Sequence, residues 1–312
     1  MREVAGAWPG PDDETRRALG TALADIPAGA VVLLDGLVAS ALPEIVVPEA
    51  RRLRLVSLVH LPLGVAGDAA CRAREYAVLL ASRRIVTTSL WSRQWLLDAY
   101  ASLEAELVHV VHPGVDPAPV VSWCREGSRM LCVGAVTRTK GQDVMVQALA
   151  QLTEYEWSCR CVGSLAVDEV YAGQARALAG SPQLAGRITW AGPRGATELD
   201  ADYADADLVV VPSTTEAYGM VVTEALARGL PVVGSAVGGV PEALGAPAIG
   251  PLPGLLVPAG DAAALADALR GWLTNADLRS SLRELALRRR CTLTDWSATT
   301  ARVSRVLSQV AT

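Results

Sequence analysis

The sequence predicts an α/β fold built from two doubly wound, Rossmann-like parallel-sheet domains. Short apolar runs rich in Val, Leu and Ile alternate with helical patterns along the chain, which is typical of parallel sheets covered on both faces. The 312 residues suffice for about two domains. A stretch rich in Pro and Gly, 112–126, separates two sets of runs. We therefore expect a first domain at 1–116 and a second at 117–294.

The predicted strands are apolar at nearly every position, as expected for strands buried on both faces. They are predicted at 31–34, 53–58, 84–87, 107–111, 130–133, 158–162, 187–191, 208–211, 231–234 and 254–257. The clearest helices repeat apolar residues every three or four positions. They are predicted at 72–80, 142–152, 220–228, 261–273 and 295–310.

Composition excludes several classes of protein. The formal net charge of -5 argues against a general nucleic-acid binder, which would present a basic face. No apolar run reaches the roughly 18 residues of a membrane-spanning helix. The first residues lack the apolar segment of a signal peptide, and no cysteine pair forms the C-x-x-C of a zinc or redox site. We therefore expect a cytoplasmic protein without a metal site.

Arg51, Arg52 and Arg54 lie close together in the sequence. Two interpretations stay open for them: a solvated surface, or contact with an anionic acceptor or a membrane surface. The second interpretation would place the protein at the inner face of the membrane, as a peripheral contact.

Lys140 is the only lysine, and every other basic side chain except His is Arg. Where charge alone matters, Arg has replaced Lys throughout this chain. The surviving lysine is a candidate for a site that needs a compact ammonium, because the two side chains differ at close quarters. Chance survival is the alternative.

The segment 207–231 combines a buried strand, a turn and a helix. A ligand beyond the end of the strand would meet the free amides of about Gly219, Met220 and Val221 at the positive end of the helix dipole. This arrangement is typical of diphosphate binding, and Gly219 removes a side chain that would block approach. Glu216 and Glu224 flank the turn and could hold hydroxyls on both sides of the diphosphate. The alternative is an ordinary strand-to-helix connection with two surface glutamates.

The string EAYGMVVTEALARGLPVV at 216–233 resembles the E-x7-E segment of the family 4 retaining glycosyltransferases, which have the two-domain GT-B fold. The resemblance implies that Glu216 contacts the donor sugar near the reacting carbon. It also implies that Glu224 binds the ribose hydroxyls. The amides of Tyr218, Gly219 and Met220 would hold the sugar and the phosphates.

The string LCVGAVTRTKGQD at 131–143 resembles the family motif G-R-L-x-x-x-K-G, whose Arg and Lys neutralise the diphosphate. Gly134, Lys140 and Gly141 match that motif. Ala135 stands in the position of the motif arginine, and Arg138 is nearby but out of register. We expect Lys140 at the phosphates and retain Arg138 as a candidate.

Other segments complete the predicted donor site by resemblance. The string SAVGGVPE at 235–242 contains Gly239, which would let the backbone approach the sugar or a phosphate, whereas its Glu242 could simply begin a helix. Gly192 and Pro212 lie in loops that resemble those bordering the base and the ribose. Their contacts would be mostly through the backbone, so the base stays open between uracil and guanine types.

His60 follows a strand of the first domain, and its place in the family implies contact with the transferred sugar across the cleft between the two domains. A satisfied core histidine is the alternative. The last helix, within 295–312, is expected to pack back onto the first domain.

The usual family chain begins with a strand and a Gly-rich loop that this sequence lacks. We therefore expect an incomplete first domain, and three explanations stay open: a start site placed too late, a true truncation, or a partner that supplies the missing part.

The resemblance implies transfer of a sugar from a nucleoside diphosphate to an acceptor hydroxyl with retained configuration, and no cofactor or obligatory metal. Glu216, His60 and Lys140 are the expected catalytic residues. The acceptor (a glycan, a lipid or a small molecule) and the oligomeric state stay open. Two alternatives remain: a nucleotide-sugar-binding protein without transferase activity, and another GT-B enzyme such as a nucleotide-sugar epimerase.

Overall fold

The computed structural model describes residues 3–65, 67–122, 124, 126–245 and 250–311. It divides into two compact units. Unit 1 comprises Met1–Pro113 together with Trp296–Thr312, and unit 2 comprises Gly114–Asp295. Several predicted parts include residues outside those described. They are 1, 2 and 66 of the first domain, 123 and 125 of the separating stretch, 246–249 of the second domain, and 312 of the last helical segment.

Unit 1 contains a four-stranded parallel sheet with strand order β1-β2-β3-β4. Its strands are β1 (Val31–Asp35), β2 (Arg54–Val59), β3 (Arg84–Thr87) and β4 (Val108–Val110). Its helices are α1 (Asp13–Ala24), α2 (Gly36–Ala41), α3 (Pro43–Glu49), α4 (Ala69–Ala81), α5 (Leu90–Ala99) and, from the far end of the chain, α13 (Trp296–Ala311).

The two faces of this sheet are covered by different parts of the chain. Successive residues of a strand point to opposite faces. Leu55 of β2 packs in the cluster formed with α1 to α4. Its neighbour Val56 packs with Val86 of β3 against Val306 and Val310 of α13. The last helix is therefore part of unit 1.

The three clustered arginines differ in their contacts. The guanidinium of Arg52 donates to the carbonyl of Leu23 at 2.6 Å, and that of Arg54 donates to the carbonyl of Val310 at 2.7 Å. Arg51 is exposed. Two members of the cluster therefore hold unit 1 together, whatever Arg51 contacts.

Unit 2 contains a six-stranded parallel sheet. Its strands are β5 (Arg129–Val133), β6 (Ser158–Val162), β7 (Ile188–Gly192), β8 (Leu208–Val211), β9 (Val232–Ser235) and β10 (Gly254–Val257). Its helices are α6 (Gln142–Leu149), α7 (Glu169–Ala179), α8 (Ala196–Ala204), α9 (Met220–Ala227), α10 (Val240–Leu244), α11 (Ala262–Thr274) and α12 (Ala276–Arg290).

The strand order β10-β9-β8-β5-β6-β7 determines where a ligand could bind in unit 2. The chain winds outward in one direction from β5 to β7, and then returns to β8 on the other side of β5. The connections after β5 and β8 therefore diverge and leave a crevice at the carboxyl ends of these strands, which is where ligands bind in open α/β sheets.

The core of unit 2 fills both faces of its sheet. Met130 and Cys132 of β5 point into a cluster with Trp272 of α11. Leu131, between them, points into the opposite cluster with Val222 of α9. The predicted α/β fold with parallel sheets is confirmed. In the described part of the chain, none of the helices combines the length and apolar character needed to cross a bilayer.

The predicted elements need small corrections at their ends. The helix predicted at 142–152 ends at Leu149, because the next residues make tighter contacts: Gln151 N–H donates to Ala148 and Leu152 N–H donates to Leu149. The six cysteines are free thiols.

Candidate functional site

Two loops meet at the crevice of unit 2, one following β5 and the other following β8. The amide of Thr214 donates to the carbonyl of Thr139 at 2.9 Å. Gly141 has a left-handed backbone with φ of 65°, and a Cβ there would lie 2.2 Å from the carbonyl oxygen of Pro212. Only glycine permits both this conformation and this contact, so the two loops are joined just before α6 begins.

This junction brings the lone lysine to a predicted catalytic glutamate. Lys140 Nζ lies 2.6 Å from Glu216 Oε2, with the side chains 31% and 17% exposed. The aliphatic stem of Lys140 passes over Gly134, where a Cβ would be 3.5 Å from Lys140 Cδ. Ser213 Oγ lies 3.5 Å from the same Glu216 oxygen. The ion pair is therefore half-buried, and solvent still reaches it.

Helix α9 begins beside this pair. Gly219 precedes it with φ of 98°, a backbone that L-residues rarely adopt. The amides of Gly219, Met220 and Val221 stand at the helix start, where an α-helix has no internal acceptor for them. Met220 is 41% exposed, whereas Tyr218 is buried in the core. The positive end of the α9 dipole thus lies in the same connection as Glu216.

Glu224 lies further along α9 and is held by a residue that the sequence did not indicate. The hydroxyl of Tyr203, from α8, donates to Glu224 Oε2 at 2.8 Å. Nothing in the spacing of two residues from successive helices signals this contact, because it depends on how α8 and α9 pack on the sheet.

Gly238 and Gly239 permit a close approach, but the group that approaches is protein backbone. The amide of Gly239 donates to the carbonyl of Glu216 at 3.1 Å. A Cβ on Gly238 would lie 1.6 Å from that carbonyl oxygen, and a Cβ on Gly239 would lie 2.5 Å from the carbonyl oxygen of Ala217. These glycines therefore hold the turn that carries Glu216. The predicted contact of Gly239 with a donor stays a prediction.

Two predicted donor-binding residues lie apart from the ion pair. Arg138 packs over the ring of Tyr171, 5.7 Å from its centroid, with its Nε 3.9 Å from Asp168 Oδ2. Gly192 ends β7, which is separated from β5 by β6, and its carbonyl accepts from the amide of Gly163 at 2.9 Å.

His60, in unit 1, follows β2 and is exposed. Its Nε2 lies 3.3 Å from Asp35 Oδ2, at the end of neighbouring β1. Thr88 Oγ1 donates to the His60 carbonyl at 3.0 Å. His60 is thus not a core histidine, and it lies at the carboxyl edge of its own sheet. Its predicted contact with a sugar held by unit 2 stays a prediction.

A second missed residue fixes the loop that follows His60. Glu75 of α4 is buried, and its carboxylate accepts from the amides of Leu63 and Gly64 at 2.7 and 3.1 Å and from the hydroxyl of Tyr100 at 2.6 Å. Its only signal in the sequence is an acidic residue on the apolar face of a helix.

Among the described residues, no group of three or more His, Cys, Asp or Glu side chains is arranged to hold a metal ion.

Comparison with known proteins gives a family and a set of relatives. Residues 125–289 match the model of the family described as Glycosyl transferases group 1. The chain is 33% identical over 236 residues to D-inositol 3-phosphate glycosyltransferase 1 of Catenulispora acidiphila, covering 69% of this chain and 54% of that protein. It is 31% identical over 294 residues to the D-inositol 3-phosphate glycosyltransferase of Corynebacterium efficiens, covering 84% of this chain and 67% of that protein. The chain thus spans little more than half the length of some relatives.

Solved structures share the fold. The Anabaena protein Alr3699/HepE in complex with UDP-glucose superposes with a TM-score of 0.78 at 19% identity, covering 95% of this chain and 82% of that chain. Sucrose-phosphate synthase from Thermosynechococcus elongatus superposes with a TM-score of 0.77 at 23% identity, covering 95% and 76%. Because the family model covers more than half of the chain, including Lys140 and Glu216, the protein belongs to the glycosyl transferases group 1 family.

Proposed function

We propose that unit 2 binds a nucleoside-diphosphate sugar of the UDP or GDP type and that the chain takes part in transferring the sugar to an acceptor hydroxyl. The observation that carries this proposal is the Lys140–Glu216 pair. It joins the two loops at the point where the strand order reverses, beside the first-turn amides of α9. An ammonium and free amides can bind a diphosphate, and a carboxylate beside them can accept from a hydroxyl of the attached sugar.

The pair can rearrange when a donor arrives. An ammonium has three N–H donors, so Lys140 can contact a phosphate oxygen while it keeps or shares Glu216. The carboxylate of Glu216 is acceptor-only when ionised, which suits it to accept from a sugar hydroxyl. The amides of Gly219, Met220 and Val221 would meet the phosphates, and Glu224 would meet the ribose.

Transfer proceeds with retention in this proposal. The bond from the anomeric carbon to the phosphate oxygen breaks, and the bond from that carbon to the acceptor oxygen forms on the same face. The proton of the acceptor hydroxyl passes to the departing phosphate oxygen, so no side chain serves as nucleophile. Lys140 and the helix amides stabilise the charge that develops on the diphosphate. No obligatory metal is invoked, and transfer is expected to persist in excess EDTA.

The relatives suggest the first substrates to test. The Anabaena neighbour was solved with UDP-glucose, and the sequence relatives are named D-inositol 3-phosphate glycosyltransferases. UDP- and GDP-sugars are therefore the first donors, and inositol 3-phosphate is the first acceptor. His60 is proposed to contact the transferred sugar.

Calorimetric titration with UDP and GDP tests donor binding. Lys140→Ala should weaken binding of the preferred nucleotide about 10- to 100-fold, the value of a hydrogen bond to a charged group. Arg270→Ala is the matched control, because Arg270 is a cation of unit 2 paired with Asp267 on the surface of α11. The Arg270→Ala protein should bind the preferred nucleotide as tightly as the wild type does. Equal affinities for wild type and Lys140→Ala would contradict the proposal.

Product analysis then separates the related activities. Glycosylated acceptor with retained anomeric configuration supports transfer. Nucleotide binding without release of UDP or GDP from any sugar nucleotide indicates a binding protein. Sugar inverted at C2 in the absence of acceptor indicates an epimerase.

A further inference from the structure

Tyr203 is the most deeply buried polar partner of the site in unit 2. Its side chain is fully buried, and it packs in the core cluster with Val222 and Leu226 of α9. Its only polar atom donates to Glu224 Oε2 at 2.8 Å. A buried hydroxyl without an acceptor is costly, so the carboxylate and the hydroxyl hold each other in place.

The donor in this hydrogen bond is permanent. Burial, followed by the charge of Glu224 and the hydrogen bond to it, raises the pKa of Tyr203 well above its usual value of 10.0. The hydroxyl therefore keeps its proton throughout the neutral range and donates to Glu224. A tyrosine ring has few rotatable bonds, so packing of the ring fixes the position of the hydroxyl.

Arg228 restrains the same group from the other side. Its guanidinium lies over the Tyr203 ring, 4.4 Å from the centroid, and its Nη1 donates to the carbonyl of Glu224 at 3.0 Å. Arg228 also forms an ion pair with Asp200 of α8. The ring is thus enclosed by the core on one side and a tethered cation on the other.

We propose that Tyr203 is a positioning residue for ribose recognition: it holds the Glu224 carboxylate in a single orientation from which the second oxygen meets the ribose hydroxyls. This inference rests on the proposed function, in which Glu224 binds the ribose. Without the hydroxyl of Tyr203, Glu224 would have to be ordered by the nucleotide itself, and ordering a flexible side chain weakens binding.

The experiment compares UDP and GDP with their 2′,3′-dideoxy counterparts, which offer Glu224 no hydroxyl. Calorimetry gives the ratio of ribo to dideoxy affinity for wild type and for Tyr203→Phe, which keeps the ring and removes only the oxygen. The ratio is expected to fall about fivefold in Tyr203→Phe, the effect of releasing one rotamer-rich side chain. A general loosening of unit 2 would weaken both nucleotides and leave the ratio unchanged.

Tyr171→Phe is the matched control. Tyr171 is another buried tyrosine of unit 2 whose hydroxyl donates to a carboxylate, that of Asp143 at 2.5 Å. Loss of the Tyr171 hydroxyl should leave the ratio of ribo to dideoxy affinity at the wild-type value. In a Glu224→Ala background, adding Tyr203→Phe should produce no further change in the ratio, because the group to be positioned is gone.

The outcomes separate this inference from the function on which it rests. A wild-type ratio in Tyr203→Phe overturns the inference and leaves donor binding intact. A further fall of the ratio in the Glu224→Ala background also overturns it, since Tyr203 would then act without Glu224. Failure of wild type to bind either UDP or GDP overturns the proposed function and, with it, the positioning role.

Discussion

The backbone of Gly238 lies so close to the carbonyl oxygen of Glu216 that a Cβ on Gly238 would be 1.6 Å from that oxygen. The two residues belong to the turns that follow β9 and β8. The amide of Gly239 reinforces the contact by donating to the same carbonyl at 3.1 Å. The position of Glu216 is therefore set by a neighbouring turn as well as by its own.

Gly238→Ala is expected to displace the turn that carries Glu216. Gly238 has φ of 53°, so a side chain there meets both backbone strain and the Glu216 carbonyl. The amides of Gly219 and Met220 end the same turn and should lose a hydrogen bond to the charged phosphates. Nucleotide affinity should therefore fall at least about tenfold, as measured by calorimetry.

Gly173→Ala is the control for that variant. Gly173 lies within α7, is exposed, and has no heavy atom within 4 Å of an added Cβ. Alanine should stabilise unit 2 by about 0.5–1 kcal/mol, because it favours the helix, and nucleotide affinity should not change. A Gly238→Ala protein that binds the nucleotide as tightly as Gly173→Ala would show that the glycine contact does not position the turn that leads from Glu216 into α9.

Glu216→Gln should separate binding from transfer. The substitution removes the charge that competes for Lys140, so the affinity for UDP or GDP is expected to rise. It also removes the negative charge and replaces one of the two oxygens proposed to accept from a sugar hydroxyl with an N–H donor. The transfer rate should therefore fall about 100-fold, as when one polar group that stabilises a transition state is lost. Radiolabelled sugar transfer measures the rate. Glu284→Gln is the control: Glu284 lies on the surface of α12 beside Arg288, and its substitution should change neither the nucleotide affinity nor the transfer rate. A wild-type transfer rate for Glu216→Gln would show that Glu216 is not part of the site.

Asp207→Asn should destabilise unit 2. Asp207 is buried before β8, and its carboxylate accepts from the amides of Cys124 and Arg129 and from the guanidinium of Arg129. This contact raises the pKa of Arg129. The expected loss is about 2–3 kcal/mol in the free energy of unfolding, because the buried carboxylate accepts hydrogen bonds from two amides and a guanidinium, and Asn turns an N–H donor toward one of these donors. Urea denaturation followed by tryptophan fluorescence measures it.

Asp205→Asn is the matched control, because Asp205 pairs with the same arginine from the surface. Its loss should change the free energy of unfolding by less than about 0.5 kcal/mol. If Asp207→Asn and Asp205→Asn lowered the free energy of unfolding equally, the burial of Asp207 would not be the source of its larger expected contribution.

The stability of unit 1 should fall as the pH decreases below neutrality. Burial, and then the charges of Arg84 and Arg93, lower the pKa of His109 below its usual value of 6.5. The unfolded chain takes up this proton near pH 6.5, and the folded chain takes it up only at lower pH. The unfolded state therefore binds more protons in that interval, and the free energy of unfolding decreases as the pH falls.

His109→Gln should flatten this dependence between pH 7 and pH 5, as measured by urea denaturation at each pH. His60→Gln is the comparison, since His60 is an exposed histidine of the same unit. If the two variants showed the same pH profile, His109 would not be the group responsible.

The fold of unit 2 was predictable because nearly every strand residue is apolar. Runs such as 208–211 can be buried only in a sheet covered on both faces, and glycines such as Gly229 end the helices between them. The meeting of Lys140 with Glu216 was foreseeable as well, because both follow strands whose carboxyl ends lie at one edge of the sheet.

The partners of the predicted residues were not foreseeable. Tyr203 reaches Glu224 through the packing of α8 on α9, and Glu75 reaches the loop after His60 from the face of α4. Arg138 was retained as a candidate because of its sequence distance from Lys140, yet in the three-residue turn that they share its side chain packs on Tyr171. Sequence spacing gives distance along the chain, whereas these contacts depend on direction in space.

The composition of unit 1 from two distant segments has a consequence for biosynthesis. Unit 2 is a continuous stretch, and near its two ends the amide of Val115 donates to the carbonyl of Thr294 at 2.9 Å. It can therefore fold as soon as it emerges from the ribosome. The sheet face bearing Val56 and Val86 stays uncovered until Val306 and Val310 of α13 have been translated, so unit 1 is completed only after all of unit 2 has been synthesised.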